Sequence, residues 1–305
     1  MISVCIPIYN FHVVPLVTQL RDQAQQLDTQ IEIVCIDDAS DEVFRERNAE
    51  LHDISTYILL DNNIGRAAIR NAFLQYAHGD YLLFLDNDSQ IKDGFLSRYI
   101  EILSEHPAVV VGGRIYDRKS DCPECHLRYL YGIEAESRSA EQRREHPYNS
   151  FMTNNFMICR DLLEKIRFDN RLTLYGHEDT LFGYRLEQSN IPITHINNPV
   201  VNGDVETNEV FLQKTEEAIQ NLSVIYMAMA GDERFCKRIR LLSAYRRLRQ
   251  LGLIGIVHAI YRLLRNPLRS HFLNGNAISI RQFNFYKLGL FIEKQHYPNS
   301  KNTES

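Results

Sequence analysis

A chain of 305 residues with 44% apolar content can bury one large core or two small ones. The net charge of −5 conceals a split: residues 1–233 hold 20 Lys/Arg against 37 Asp/Glu, while residues 234–292 hold 12 Lys/Arg and no acid. The acidic front excludes nucleic acid as the main partner, since a phosphate backbone wants a basic face. Six scattered cysteines, a start without a leader-like apolar segment and no run of 18 apolar residues predict a reduced, cytosolic chain without a transmembrane helix.

The first hundred residues alternate in type. Ile2–Ile8 is a β-branched run and predicts a strand. Val14, Leu16, Val17, Leu20, Ala24 and Leu27 recur at helical spacing and predict a helix over 13–27. A second strand at 31–36 ends in Asp37-Asp38-Ala39-Ser40, and a charged helix is expected over 41–51. A third strand at 56–60 ends in Asp61-Asn62-Asn63, followed by a helix over 65–77 and a fourth strand at 81–85 ending in Asp86-Asn87-Asp88. Strands alternating with helices predict βαβ units and a mostly parallel sheet.

Ligands of open α/β sheets bind outside the carboxyl ends of the strands. Three such ends here carry acids or amides and should converge on one crevice. Asp and Asn favour turns for local reasons, but two acids on one turn repel each other, and a divalent cation would relieve that. Magnesium or manganese is held by one or two carboxylates plus substrate phosphates, so the pair suggests a metal–diphosphate site. Neither G-x-G-x-x-G nor a Walker sequence follows the first strand, which speaks against dehydrogenase and P-loop readings.

Five segments now occur in order: Ile2-Ser-Val-Cys-Ile-Pro-Ile-Tyr-Asn10, Ile36-Asp-Asp-Ala-Ser40, Asn63-Ile-Gly-Arg-Ala-Ala-Ile-Arg-Asn71, Gly79-Asp-Tyr-Leu-Leu-Phe-Leu-Asp-Asn-Asp88 and His177-Glu-Asp-Thr-Leu-Phe-Gly-Tyr-Arg185. Together they resemble the family-2 inverting nucleotide-sugar glycosyltransferases of GT-A fold, over about residues 1–230. The resemblance implies a Rossmann-like, mostly parallel sheet with flanking helices. It also implies a UDP-, GDP- or TDP-sugar donor, a divalent metal (Mn or Mg), and transfer with inversion. Carried over residue by residue, it implies that Asp38 holds the nucleotide base, with Pro7 and Tyr9 beside it. Arg70 resembles a donor-side arginine. Asp86 and Asp88 match a D-x-D motif, Asp88 as metal ligand and Asp86 as ribose or outer partner. Asp179 resembles the catalytic base, which an inverting transfer needs to take the acceptor hydroxyl proton. Asn154, Asn155 and Glu178 fall on the acceptor side, as does Tyr175-Gly176-His177. One departure stands out: Asn202 occupies a place where the family often has a metal-binding histidine, with Asp204 near it in sequence. His195, in an expected strand 193–196, is read as packed.

Residues 117–150 are charged and aperiodic and read as a long active-site loop, with Arg128, Tyr129 and Tyr131 as acceptor contacts or packing. Cys122-Pro-Glu-Cys125-His126 suits zinc or redox chemistry, but no second Cys pair follows. Arginines interleaved with Leu and Ile over 234–273 predict a basic amphipathic helix, or two broken near Gly252 and Gly255. Such a helix lies on an anionic membrane; a cap on the front domain or on a second copy, making a homo-oligomer, is the alternative.

The expected organisation is thus a catalytic domain over 1–230 and a basic helical region over 231–305. The expected function is sugar transfer from a nucleotide-sugar donor to a glycan or lipid-linked acceptor, in surface polysaccharide synthesis, peripheral to the inner face of the membrane. A sugar-1-phosphate nucleotidyltransferase would need a glycine-rich basic loop after the first strand, where Tyr9-Asn-Phe-His12 stands. A catalytically inactive nucleotide-sugar-binding scaffold would bind donor without hydrolysing it.

Overall fold

The computed structural model describes residues 1–116, 123–202, 205–229, 232–275 and 278–296. The chain forms two compact units. The first comprises 1–117, 132–173 and 178–204; the second comprises 118–131, 174–177 and 205–305.

The first unit is built on a seven-stranded sheet. Its strands are β1 (Ile2–Ile8), β2 (Ile31–Asp37), β3 (Thr56–Leu59), β4 (Tyr81–Leu85), β6 (Val109–Val111), β8 (Asn155–Cys159) and β9 (Ile193–His195). Their order is β3-β2-β1-β4-β8-β6-β9. The β1–β2, β2–β3, β1–β4 and β6–β9 pairs are parallel, as alternation of strands and helices predicts. Central strands of such a sheet are covered on both faces and therefore read as continuous apolar runs. In β1, Ile2, Val4, Cys5, Ile6 and Ile8 are all buried.

β8 runs antiparallel to both neighbours, β4 and β6. Its first residue therefore pairs with the last of β4, Asn155 opposite Leu85. One consequence is that Asp86 N–H donates to the Asn154 carbonyl at 3.1 Å, so Asn154 stands at the carboxyl end of β4. A second sheet of three short strands, β5 (Ser89–Gln90), β10 (Val200–Asn202) and β7 (Arg114–Tyr116), lies in the order β5-β10-β7. Asn202 pairs there with Ser89 on one side and Tyr116 on the other.

The helices differ from expectation at their ends. The first is Val14–Ala24, and 65–77 becomes Gly65–Ala72 followed by a tighter turn at Phe73–Gln75. The helix expected over 41–51 divides into Glu42–Arg47 and Leu51–Ile54. Asn48 lies at the break because its side chain serves the β1 exit: Oδ1 accepts from Val13 N–H at 3.0 Å and Nδ2 donates to the Phe11 carbonyl at 2.8 Å.

The expected 117–150 loop is corrected more deeply. Residues 117–122, including Cys122, lie outside the described residues. The rest is helical at His126–Tyr131, Gly132–Glu136 and Ala140–Glu145. Arg143, a charge that reads as solvent-facing, is buried. It donates to the carbonyls of Val111 (2.9 Å), Gly112 (2.9 Å) and Ile196 (2.8 Å). Its Nη1 also donates to His195 Nδ1 at 3.0 Å, which leaves His195 Nε2–H to donate to the Pro147 carbonyl at 3.0 Å. Burial depresses the His195 pKa to about 4, so this imidazole is neutral and packed, as the sequence suggested.

The second unit is helical: Asn208–Ala228, Glu233–Arg238, Arg240–Gln250, Ile254–Asn274 and Ile280–His296. The expected one or two basic helices are thus three. Gly252, with φ of +69°, breaks the chain, whereas Gly255 lies inside the following helix. Tyr131, Phe211, Phe272 and Phe283 form an aromatic cluster, and Arg128 lies 5.0 Å over the Phe211 ring. Arg128 and Tyr131 are therefore packing residues of this unit. Leu174–His177 belongs with it through Asn221, whose Nδ2 donates to the carbonyls of Leu174 (2.6 Å) and Gly176 (3.0 Å).

Candidate active site

The carboxyl ends of β1, β2 and β4 adjoin, and their turns are tied together. Asp38 N–H donates to the Ile8 carbonyl at 2.8 Å, and Asn87 Nδ2 donates to the Tyr9 carbonyl at 3.4 Å. Asn10 and Asp41 exchange two hydrogen bonds, Nδ2 to Oδ2 at 3.1 Å and Asp41 N–H to Oδ1 at 2.8 Å. Asp37, which ends β2, accepts from Ser40 N–H (2.7 Å) and the Tyr57 hydroxyl (2.9 Å). Pro7 is half-buried within β1, and Tyr9 just beyond it is 52% exposed.

Asp38 is buried, and its two oxygens accept the backbone N–H groups of Ile64 (2.7 Å) and Gly65 (3.0 Å). Burial raises its pKa, with the two N–H donors opposing. The carboxylate thereby fixes the start of the helix Gly65–Ala72, where a negative charge is favoured by the helix dipole. That helix carries Arg66 and Arg70 one turn apart, on one face.

Both arginines grip Asp86. Arg70 Nη2 donates to Oδ1 at 2.9 Å and Arg66 Nη2 to Oδ2 at 3.2 Å. Arg66 Nε also donates to Glu178 Oε1 at 3.1 Å, and Arg70 Nη1 lies 3.8 Å from the same oxygen. Burial works to raise the Asp86 pKa, but Arg66, Arg70 and Arg114 outweigh it and hold the carboxyl below its ordinary value. Arg70 is itself 1% exposed; burial lowers its pKa, with Asp86 opposing. Arg70 thus pairs with Asp86. Arg66 lay within a quoted motif and drew no role from the sequence; its signal was its place one turn before Arg70.

Glu178 and Asp179 begin the helix Glu178–Gln188. Their side chains part. Glu178 joins the arginine lattice, while Asp179 Oδ1 accepts from Thr180 N–H at 2.6 Å and the Thr180 hydroxyl at 3.2 Å. Burial first and the neighbouring Glu178 charge second push the Asp179 pKa up to about 7. A carboxyl with that value is poised for proton transfer at neutral pH.

The two asparagines at the start of β8 also part. Asn155 is fully buried; its Nδ2 donates to the carbonyls of Gly113 (2.9 Å) and Asn198 (2.8 Å), and its Oδ1 accepts from the Tyr99 hydroxyl at 2.6 Å. It holds the Gly112–Gly113 turn, and a Cβ on Gly112 would come within 2.4 Å of Asn155 Nδ2. Asn154, 4% exposed, makes no side-chain hydrogen bond through either Oδ1 or Nδ2 among the described residues. A buried, unsatisfied amide costs about 1–3 kcal/mol and is worth retaining where a ligand completes it.

The small sheet brings together Asp88, Asn202 and a residue the sequence did not single out, Arg114. Arg114 Nη2 donates to Asp88 Oδ2 at 3.0 Å and to Asn202 Oδ1 at 2.7 Å. Its Nη1 lies 3.8 Å from Glu136, and the guanidinium stands 5.4 Å from the Tyr116 ring centroid. Nothing in a lone Arg between Gly113 and Ile115 signals this; only the pairing of β7 with β10 creates it. Asp204 lies outside the described residues. No group of three or more His, Cys, Asp or Glu suited to a metal occurs among the described residues. As these side chains stand, the Arg114 guanidinium fills the place between Asp88 and Asn202.

A glycosyl transferase family 2 model matches residues 3–167, more than half of the chain. The chain belongs to that family. The match covers β1 through β8 and ends before Glu178. A chondroitin synthase from Pasteurella multocida is 26% identical over 218 residues, covering 61% of this chain and 23% of that protein. A glycosyltransferase from Streptococcus pneumoniae, GlyG, is 28% identical over 128 residues, covering 38% of this chain and 40% of that protein. The chain thus spans well under half the length of these curated relatives. The family member shares its fold with a mannosyltransferase from Pyrobaculum calidifontis, solved with GDP-Man and Mn2+, at a TM-score of 0.59 and 16% identity over 98% of this chain and 88% of that one.

Proposed function

We propose that this chain moves a sugar from a nucleotide-sugar donor to a glycan or lipid-linked acceptor, with inversion at the anomeric carbon. The observation that carries the reading is the separation of the two acids at the start of the helix Glu178–Gln188. Glu178 is bound into the arginine lattice with Asp86, while Asp179 stands outside it with a pKa pushed up to about 7.

The nucleotide base lies against Pro7 and Tyr9, beside the turn fixed by Asp38. Asp86, aimed by Arg66 and Arg70, faces the ribose. Asn154 supplies its amide to a sugar hydroxyl. Asp179 takes the proton from the acceptor hydroxyl as that oxygen bonds to the anomeric carbon, and the bond from that carbon to the diphosphate oxygen breaks. General-base assistance of this kind contributes about 10²–10⁴ in rate.

The acceptor is a surface glycan or glycolipid, and the second unit rests on an anionic membrane. Leu251, Ile256, Ile260, Leu263 and Leu264 are exposed, Leu263 by 79%, and the last four share one face of the helix Ile254–Asn274. Arg247, Arg249 and Arg262 are exposed alongside them in sequence. An apolar ridge with basic flanks is the composition of an interfacial helix. Among the described residues no helix is long and apolar enough to cross a membrane.

The test is a panel of nucleotide sugars read by thermal shift and by release of free nucleotide. One nucleoside class should raise the melting temperature, and its sugar should be transferred or slowly hydrolysed. A panel in which no nucleotide or nucleotide sugar binds would overturn the proposal.

A further inference from the structure

We infer that a hollow in the first unit, rimmed by Lys165, Arg167, Arg171 and Arg185, binds an acidic sugar through its carboxylate or phosphate. The hollow has a volume of about 580 Å³, within the range of small-ligand sites, and lies beside the C-terminal end of the helix Gly65–Ala72. The inference goes beyond the reading of the crevice and does not depend on it.

Its floor is fixed by buried contacts. Asn71 Oδ1 accepts from Phe168 N–H at 3.0 Å, and Asn71 Nδ2 donates to the Phe168 carbonyl at 3.0 Å and to Asn170 Oδ1 at 2.7 Å. The Phe168 ring is buried and stacked on Phe182 at 4.1 Å. Asp169 follows and gathers two guanidiniums. Arg171 donates to it from Nε at 2.9 Å and Nη2 at 2.6 Å, and Arg185, on the helix Glu178–Gln188, donates from Nη2 at 2.7 Å. The hydrogen bonds from Arg171 lead in pushing the Asp169 pKa down to about 2, with burial opposing and the Arg185 charge assisting. One negative charge therefore meets two positive ones at neutral pH.

Lys165 and Arg167 add two more cations. Both are exposed on the hollow, and neither side chain makes a hydrogen bond or ion pair among the described residues. The other acid there, Glu164, is paired with Arg160 at 3.2 Å. The rim thus carries a surplus of positive charge within the acidic stretch 1–233, and these four side chains are a fifth of that stretch's 20 basic residues. A neutral ligand would leave the surplus unanswered. A carboxylate or phosphate answers it, and the Arg167 fork matches either anion two oxygens at a time. Asn170 extends the match to a sugar. It is exposed at the same rim, and with Oδ1 taken by Asn71 its Nδ2 is left to donate to a hydroxyl.

The experiment titrates the full chain by calorimetry with glucuronate, glucose 6-phosphate and glucose, at low salt and in about 0.5 M sodium chloride. At least one of the two anionic sugars should bind with a Kd below about 10 mM, and glucose should not. Salt should weaken that binding, because exposed cations are screened. Lys165→Ala combined with Arg167→Ala should weaken it by about 10- to 100-fold, the range for a hydrogen bond to a charged group, and leave nucleotide affinity at the crevice unchanged. Both positions are exposed, so the double variant keeps the fold. Binding of glucuronate alone assigns a carboxylate, and binding of glucose 6-phosphate alone assigns a phosphate. Failure of both anions to bind, or glucose binding as tightly as they do, overturns the inference. So does a double variant with parent affinity, which would place the anion on the basic helices of the second unit. Failure of nucleotides to bind the parent removes only the reading of the crevice.

Discussion

Asp179→Asn keeps the shape of the side chain and its hydrogen bonds from Thr180, and removes only the ability to accept a proton. With the Asp179 pKa at about 7, the base is half ionised at neutral pH. Below that value kcat/KM should fall about tenfold per pH unit, and above it the rate should level off. The variant should show no such slope, transfer sugar about 10²–10⁴ more slowly at pH 8, and keep nucleotide affinity. Glu178→Gln is the internal control. It removes the like charge that helps raise Asp179, so the inflection should move to lower pH while turnover above it survives. Stability carries a second signature. A carboxyl whose folded pKa is raised stabilises the protein below its unfolded pKa, and that contribution is lost as pH rises through about 7. The melting temperature of the parent should therefore drop between pH 5 and 8 relative to Asp179→Asn. A variant with near-parent turnover, or a parent profile flat across this range, refutes the assignment.

Arg70→Ala leaves buried Asp86 with Arg66 as its remaining guanidinium partner, and should cost about 3 kcal/mol in urea unfolding, the lower end for breaking a buried pair; a loss under about 1 kcal/mol would contradict the lattice. Because Asp86 has a depressed pKa, its contribution should be present above the unfolded carboxylate range and fade as pH falls through it. Asn155→Ala takes the amide donor from the Asn198 carbonyl and the acceptor from the Tyr99 hydroxyl, leaves the Gly113 carbonyl with Val200 N–H, and should destabilise by about 1–3 kcal/mol per group not rescued by water. Asn154→Ala, one residue away, removes the unsatisfied amide and should raise the unfolding midpoint while weakening sugar transfer. Ile256→Glu with Leu263→Glu should abolish sedimentation with anionic vesicles and leave nucleotide binding intact; equal sedimentation of variant and parent removes the membrane assignment.

What the sequence made legible followed from local chemistry. The apolar runs of β1, β2 and β4 mark the parallel half of the sheet, and their ends carry the acids Asp37, Asp38, Asp86 and Asp88. What it hid depended on strands meeting across distance. Nothing local says that β8 runs backwards and so brings Asn154 to Asp86, or that β7 and β10 close Arg114 onto Asp88 and Asn202. Adjacent residues of one type misled in the same way: Asn154 and Asn155 read alike, yet alternate side chains of a strand face opposite ways. Charge misled where arginine was buried. Residues 117–150 read as loop because they are charged and aperiodic, yet Arg128 and Arg143 within them are buried.

Arg143 also bears on how this protein can be trimmed or grafted. The helix Ala140–Glu145 looks dispensable from its composition, and a loop-swapping design would choose that stretch for exchange. Its guanidinium, though, is the mortar of the sheet's far edge. It donates to the carbonyls of Val111, Gly112 and Ile196, and a Cβ on Gly113 would stand 2.7 Å from it. A chimera that replaces this segment without an arginine at that position therefore takes from the Ile196 carbonyl its side-chain donor and leaves the Val111 and Gly112 carbonyls with their backbone donors, Ile196 N–H and Asn198 N–H. Since Arg114 follows the Gly112–Gly113 turn directly, an exchange made here also reaches its contacts with Asp88 and Asn202.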